Sequence, residues 1–167
     1  MTLRFDIGGA RLVFAGMTNN PFLDPGFHIR WSNLLPEQIA PAIEAAFGRA
    51  NSAIVGIASR SPGELTYANT FLALENATEG LTQAWTKVTH LQSVADSPAL
   101  REAHNAMLPK VSAFYAGIPL NAELWARLKT FAATPEAQAL TGIHRRFLDE
   151  TVADFRQAGA DLPPAER

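Results

Sequence analysis

From Pro36 onward the apolar residues recur at helical spacing. Ile39, Ile43, Ala46, Phe47, Ala50, Ile54 and Ile57 follow one another at steps of one, three or four. That spacing lays them on one stripe of a helix with about 3.6 residues per turn. Pro36 suits a first helical position, where its missing N–H costs nothing, and Glu37 favours the positive end of the dipole. Ser61-Pro62-Gly63 ends the run. A second helix is predicted from Thr66 to Ala95, with Phe71, Leu74, Ala77, Leu81, Ala84, Trp85, Val88, Leu91 and Val94 on its stripe. Asp96-Ser97-Pro98 stops it and caps a third, which carries Leu100, Ala103, Met107 and Leu108. Pro109 should kink or split that helix, because it gives no N–H and its ring clashes with the carbonyl of Asn105. The run then continues through Val111, Phe114 and Tyr115 to Gly117-Ile118-Pro119.

Asn121 is placed to cap a short helix bearing Leu124, Trp125, Leu128 and Phe131. Thr134-Pro135-Glu136 repeats the cap, proline and acid order, and opens a last helix through Ile143, Phe147, Leu148, Val152 and Phe155. Gly159 closes it. The pattern predicts an all-α fold: about five helices in an antiparallel up-and-down array, joined by short links. Residues 19–167 form the helical domain. Residues 1–18 form a leader that alternates apolar and polar positions (Leu3, Phe5, Ile7) and turns at Gly8-Gly9, so it reads as β-like or irregular. One expectation is that translation starts at Met17, which would make the leader non-native. Between leader and first helix, Pro21, Pro25 and Gly26 stand among Phe22, Leu23, Phe27 and Trp31, which predicts an extended arm that packs onto something.

Composition narrows the chemistry. Fourteen Lys+Arg against sixteen Asp+Glu leave a net charge of −2, with no clustered basic field for nucleic acid or an acidic membrane surface. Cysteine is absent, which removes thiol nucleophiles, thiolate metal sites and disulfides, and agrees with a reducing compartment. No apolar run approaches the roughly 20 residues that span a bilayer. The histidines are His28, His90, His104 and His144; none has a second histidine at zinc-ligand spacing, and no HExxH occurs. Glu75 and Glu79 stand four apart and could share a helix face, where two solvated carboxylates are the ordinary outcome. Trp85 and Trp125 lie in stripes of leucine and valine and read as core; Trp31 lies in the arm. GxSxG, P-loop and GxGxxG motifs are all missing. No residue is assigned a catalytic, cofactor-binding or metal-binding role.

Several segments in order resemble a known family. Asn20-Pro21-Phe22-Leu23, Leu35-Pro36-Glu37-Gln38-Ile39-Ala40-Pro41-Ala42-Ile43 and the stretch from His90 through Asp96-Ser97-Pro98 to Ala103 carry the resemblance. Leu108-Pro109, Asn121-Ala122-Glu123-Leu124-Trp125, Arg146-Phe147-Leu148 and Phe155-Arg156-Gln157-Ala158-Gly159 continue it. Together they resemble the N-terminal region of the oligopeptidase A and thimet oligopeptidase family of zinc metallopeptidases, and the form is closer to oligopeptidase A. The resemblance implies a helical wall of a substrate channel, short peptides as ligands and a catalytic part of the same protein as partner. It also implies zinc bound by that catalytic part, none by this chain, and a cytoplasmic location. A channel wall should leave apolar side chains exposed on this chain. The competing reading is a free-standing helical module that binds a peptide or protein without catalysis.

Overall fold

A computed structural model describes residues 20–163. The leader expected over residues 1–18, with its Gly8-Gly9 turn and Met17, lies outside the described residues. Among those described, α-helices are the dominant element and no strand occurs. The helices are α1 (Ile39–Ala58), α2 (Phe71–Val94), α3 (Pro98–Gly117), α4 (Ala122–Ala132), α5 (Pro135–Gln138) and α6 (Gly142–Gln157). Short 3-10 turns at Pro21–Leu23, Trp31–Asn33, Pro36–Gln38 and Pro62–Glu64 punctuate the rest.

Two apolar clusters hold these helices, and their membership gives the direction of packing. Ile39, Ile43 and Ala46 from the start of α1 meet Leu81, Ala84, Val88 and Leu91 from the end of α2. Ile54 and Ile57 from the end of α1 meet Phe71 and Leu74 from the start of α2. The two longest stripes therefore run antiparallel. Leu100, Met107 and Val111 of α3 complete the first cluster. Leu124, Trp125, Leu128 and Phe131 of α4, with Leu148 and Phe155 of α6, complete the second. Phe114 touches both clusters and stacks on Phe47 with ring centroids 5.1 Å apart.

The caps explain most boundaries. Ser97 Oγ accepts from the Leu100 N–H at 3.2 Å, and Asn121 Oδ1 accepts from the Leu124 N–H at 3.0 Å. Each satisfies an amide that the first helical turn leaves without a partner. Gly159 at φ 94° ends α6. Its N–H bonds the Arg156 carbonyl at 3.0 Å and the Ala160 N–H bonds the Phe155 carbonyl at 3.0 Å, the paired closure of a Schellman motif.

Three boundaries differ from the sequence expectation. α2 begins at Phe71 rather than Thr66. Asn69 Oδ1 accepts from the Thr66 N–H at 2.8 Å and Thr66 Oγ1 accepts from the Asn69 N–H at 3.2 Å, so side chains take over amides that a helix would use. Thr134 caps only the four-residue α5, and its Oγ1 accepts from the Ala137 N–H at 3.2 Å. A new helix then starts at Gly142, whose φ of 58° is left-handed and breaks the right-handed run. Ile143, expected on the apolar stripe, is consequently 78% exposed. Pro109 does not split α3, which runs unbroken from Pro98 to Gly117. Pro109 and Asn105 both sit on the solvent side, where a carbonyl freed by the proline reaches water.

Asp161 fastens the end of the described chain to α4 and α6. Its carboxylate accepts from Trp125 Nε1 at 2.8 Å, Lys129 Nζ at 2.9 Å and Arg156 Nε at 3.3 Å. The bond from Lys129, then that from Trp125, holds this carboxyl below its ordinary value of 3.8. A depressed acid stabilises the fold above its unfolded pKa and loses that contribution as pH falls through its folded pKa. At neutral pH the native chain is therefore expected to melt above the Asp161→Asn variant, with the gap closing once pH passes below 3.8. Melting curves across that range check it; a gap that persisted unchanged in acid would place the stabilisation elsewhere.

Candidate functional site: the N-terminal arm and its cavities

Residues 20–35 cross the first cluster as an irregular arm, and specific contacts fix it there. Asn20 Oδ1 accepts from the Phe22 N–H at 3.0 Å, while its Nδ2 donates to the Gln38 carbonyl at 2.9 Å. Phe22 is buried among α1 and α2 residues. At the other end, Gln38 Oε1 accepts from the Leu35 N–H at 2.9 Å and Leu34 is buried. Between these points Trp31 lies against His90 of α2, with ring centroids 4.8 Å apart. The expected packing of the arm holds for Phe22 and Trp31 but not for Phe27, which is 93% exposed.

The main clamp is Lys87 of α2, a residue that the sequence reading passed over. It occupies the step between Ala84 and Leu91 on the buried stripe, so its position was the available signal. Its side chain is buried, and Nζ donates to the Phe22 carbonyl at 3.1 Å and to the Asp24 carbonyl at 2.5 Å. Burial pulls its pKa down from the usual lysine range, and the Asp24 charge acts the other way. A cation with two carbonyl acceptors can stay inside, whereas an unpaired one would be strongly disfavoured.

Two hollows flank this clamp. A cavity of about 730 Å³ is lined by Lys87, by Arg49 of α1 and by Asn20, Asp24, His28 and Arg30 of the arm. A groove of about 520 Å³ runs along the other side, lined by Phe27, Ile29 and Trp31 with Thr86 and His90.

The remaining candidates disperse. His104 stacks on Trp85, centroids 5.0 Å apart; His144 packs edge-on to Tyr67, with Nδ1 3.2 Å from its hydroxyl; His28 packs edge-on to Phe27. Among the described residues no three metal-ligating side chains converge. Glu75 and Glu79 are both exposed and have different neighbours. Glu79 Oε1 accepts from Gln83 Nε2 at 2.9 Å, whereas Glu75 acts on Tyr67. Burial, with Glu75 second, raises the Tyr67 hydroxyl pKa. Trp125 is core, Trp85 is partly buried against the first cluster and Trp31 is part-exposed. Exposed apolar side chains occur on several elements, Phe27, Val55, Val94 and Ile143 being the most exposed. Phe27 and Trp31 share one groove. Among the described residues no helix is long and apolar enough to cross a membrane.

Comparisons with known proteins bear on most of the chain. Oligopeptidase A of Escherichia coli (strain K12) is 26% identical over 144 residues, which cover 86% of this chain and 21% of that protein. Oligopeptidase A of Salmonella typhimurium is 25% identical, and that of Haemophilus influenzae 26%, over the same coverage. The chain thus spans about a fifth of the length of these curated relatives. Residues 58–167 match the family described as Neurolysin/Thimet oligopeptidase, N-terminal domain. A match over more than half its length, on an all-α chain that aligns with oligopeptidase A, makes this protein a member of the neurolysin/thimet oligopeptidase family through its N-terminal domain.

Proposed function

We propose that this chain is the helical channel wall of a cytoplasmic zinc oligopeptidase that hydrolyses short peptides, with catalysis supplied by another part of the same protein. The observation that carries the reading is the match of residues 58–167 to the N-terminal domain of that family. Alignment with only 21% of oligopeptidase A leaves most of such an enzyme to other segments. A wall of packed helices excludes folded proteins by shape and meets a peptide through exposed apolar side chains such as Phe27 and Trp31.

Zinc, in this reading, belongs to the catalytic part, where it would activate water for attack on the peptide carbonyl. Among the described residues no group of side chains fits a zinc site. His104 and His144 are engaged with aromatic rings, and no carboxylate cluster stands beside either. No step of the hydrolysis is therefore assigned to a residue here.

Two measurements on the native gene and the purified chain test the proposal. Sequencing past the Arg167 codon is expected to reveal an open frame leading to HExxH. The 167-residue chain alone is expected to leave a short fluorogenic peptide intact. Chelator-sensitive cleavage by the pure chain with stoichiometric zinc would overturn the division of labour. A stop codon directly after Arg167 would favour the free-standing binding module.

A further inference from the structure

The cations among the described residues differ in their partners. Arg101, Lys110, Lys129, Arg145, Arg146 and Arg156 each form an ion pair with a carboxylate. Among the described residues, Arg30, Arg49, Arg60 and Arg127 form none and Lys87 is held by backbone carbonyls alone; of these, Arg30, Arg49 and Lys87 are set apart by where they lie. These three come from separate elements, the arm, α1 and α2, yet all line the cavity of about 730 Å³. The cavity has one carboxylate, Asp24, and its Oδ1 is engaged by the Gly26 N–H at 2.8 Å. In a chain of net charge −2, the lining sets three cations against one acid that already has a partner.

Like charges gathered without counter-charges repel, and an anion between them would relieve that repulsion. The guanidinium fork suits the planar or tetrahedral oxygens of a carboxylate or phosphate, and a buried lysine adds a charge that water cannot fully screen. The volume lies in the range of about 300–1,000 Å³ typical of small-ligand sites. The side-chain amide of Asn20 is spent on the arm and His28 packs on Phe27, so Arg30 and Arg49 are the charged groups left to grip, with the Asn33 and Gln38 amides beside them.

We infer that the cavity under the arm binds a small oxyanion ligand, gripped by Arg30 and Arg49, with Lys87 as the fixed charge beside them. Two sources share this chemistry: a free phosphate and the C-terminal carboxylate of a short peptide. The inference does not rest on the channel reading, because every group it uses is in this chain and a peptidase assay leaves it untouched.

Calorimetric titration of the 167-residue chain tests it with three probes: inorganic phosphate, a short peptide with a free C-terminus and the same peptide as its C-terminal amide. Binding of phosphate identifies a phosphate-type ligand, and binding of the acid but not the amide identifies a peptide carboxylate. In either case Arg30→Gln and Arg49→Gln should each weaken binding about 10-fold, the loss of one charge-assisted contact. Added salt should weaken it further, since both arginines are exposed. Arg60→Gln, an exposed arginine that does not line the cavity, should leave affinity unchanged. Both test residues lie at the surface, so unchanged helical circular dichroism is expected in each variant. No binding of phosphate or of the acid peptide overturns the inference. So does binding that ignores both substitutions, or that does not distinguish acid from amide when phosphate fails.

Discussion

Phe131→Ala is expected to remove about 3–5 kcal/mol of folding stability, the range for deleting a fully buried phenyl ring. Phe131 is 0% exposed on α4, and its ring lies 5.8 Å from that of Phe71, centroid to centroid. Leu128, Trp125 and Leu148 belong to the same cluster, so the gap would open where α1, α2, α4 and α6 meet. Rigid helices on several sides cannot all close in, and part of the cavity would remain. Native domains are stable by about 5–15 kcal/mol, so this change consumes a large share of the total. Phe131→Leu keeps most of the volume and should cost about 1.5 kcal/mol or less. Urea unfolding followed by circular dichroism should show the midpoint falling far more for alanine than for leucine. Equal shifts would mean that the surrounding helices relax to fill the gap.

The helices that could be read from the chain are those in which period and tertiary burial agree. α1 is the clearest: of its seven stripe residues, only Phe47 is not fully buried, and it still packs on Phe114. Misplaced boundaries arise where a local competitor acts below the resolution of a periodicity argument. Thr66 and Asn69 exchange hydrogen bonds and delay α2, although the apolar pattern offers no reason to wait. Thr134 carries a genuine cap signal, but nothing in Thr134-Pro135-Glu136 states that the helix will last four residues. Gly142 was the clue, because a glycine inside a helical run can adopt the left-handed φ that restarts it.

The candidate site was legible only in part. Pro and Gly among aromatics marked an arm without α-helix, which the structure has, but the arm is not simply extended: it carries 3-10 turns at Pro21–Leu23 and Trp31–Asn33. Its cavity was not legible, since Arg30, Arg49 and Lys87 are far apart in sequence and no motif joins them. The antiparallel pairing of α1 with α2 brings the last two together, and the arm then carries Arg30 over them. Family membership, by contrast, was visible from ordered segments, because it depends on sequence identity at many positions and not on any single contact.

Lys87→Ala and Lys87→Met should separate global stability from docking of the arm. Alanine removes the buried stem and leaves the Phe22 and Asp24 carbonyls without their shared donor. Losing charge-assisted bonds while a buried acceptor goes unpaired is worth about 2–3 kcal/mol. Methionine keeps the length and removes the buried charge, whose desolvation already depresses the lysine pKa. It leaves the same two carbonyls unpaired, so it loses the same hydrogen bonds as alanine but keeps the packing of the stem, and should be about 1–2 kcal/mol more stable than the alanine variant. Both variants nevertheless lose the donor that ties the arm to α2. Hydrogen exchange should therefore speed up over residues 20–35 in both, while α1 and α2 stay protected in the methionine variant. Unchanged exchange in the arm would show that Asn20, Phe22 and the Trp31–His90 contact hold it without Lys87. An equal global loss in both variants would show that the charge itself, rather than the packed stem, stabilises the domain.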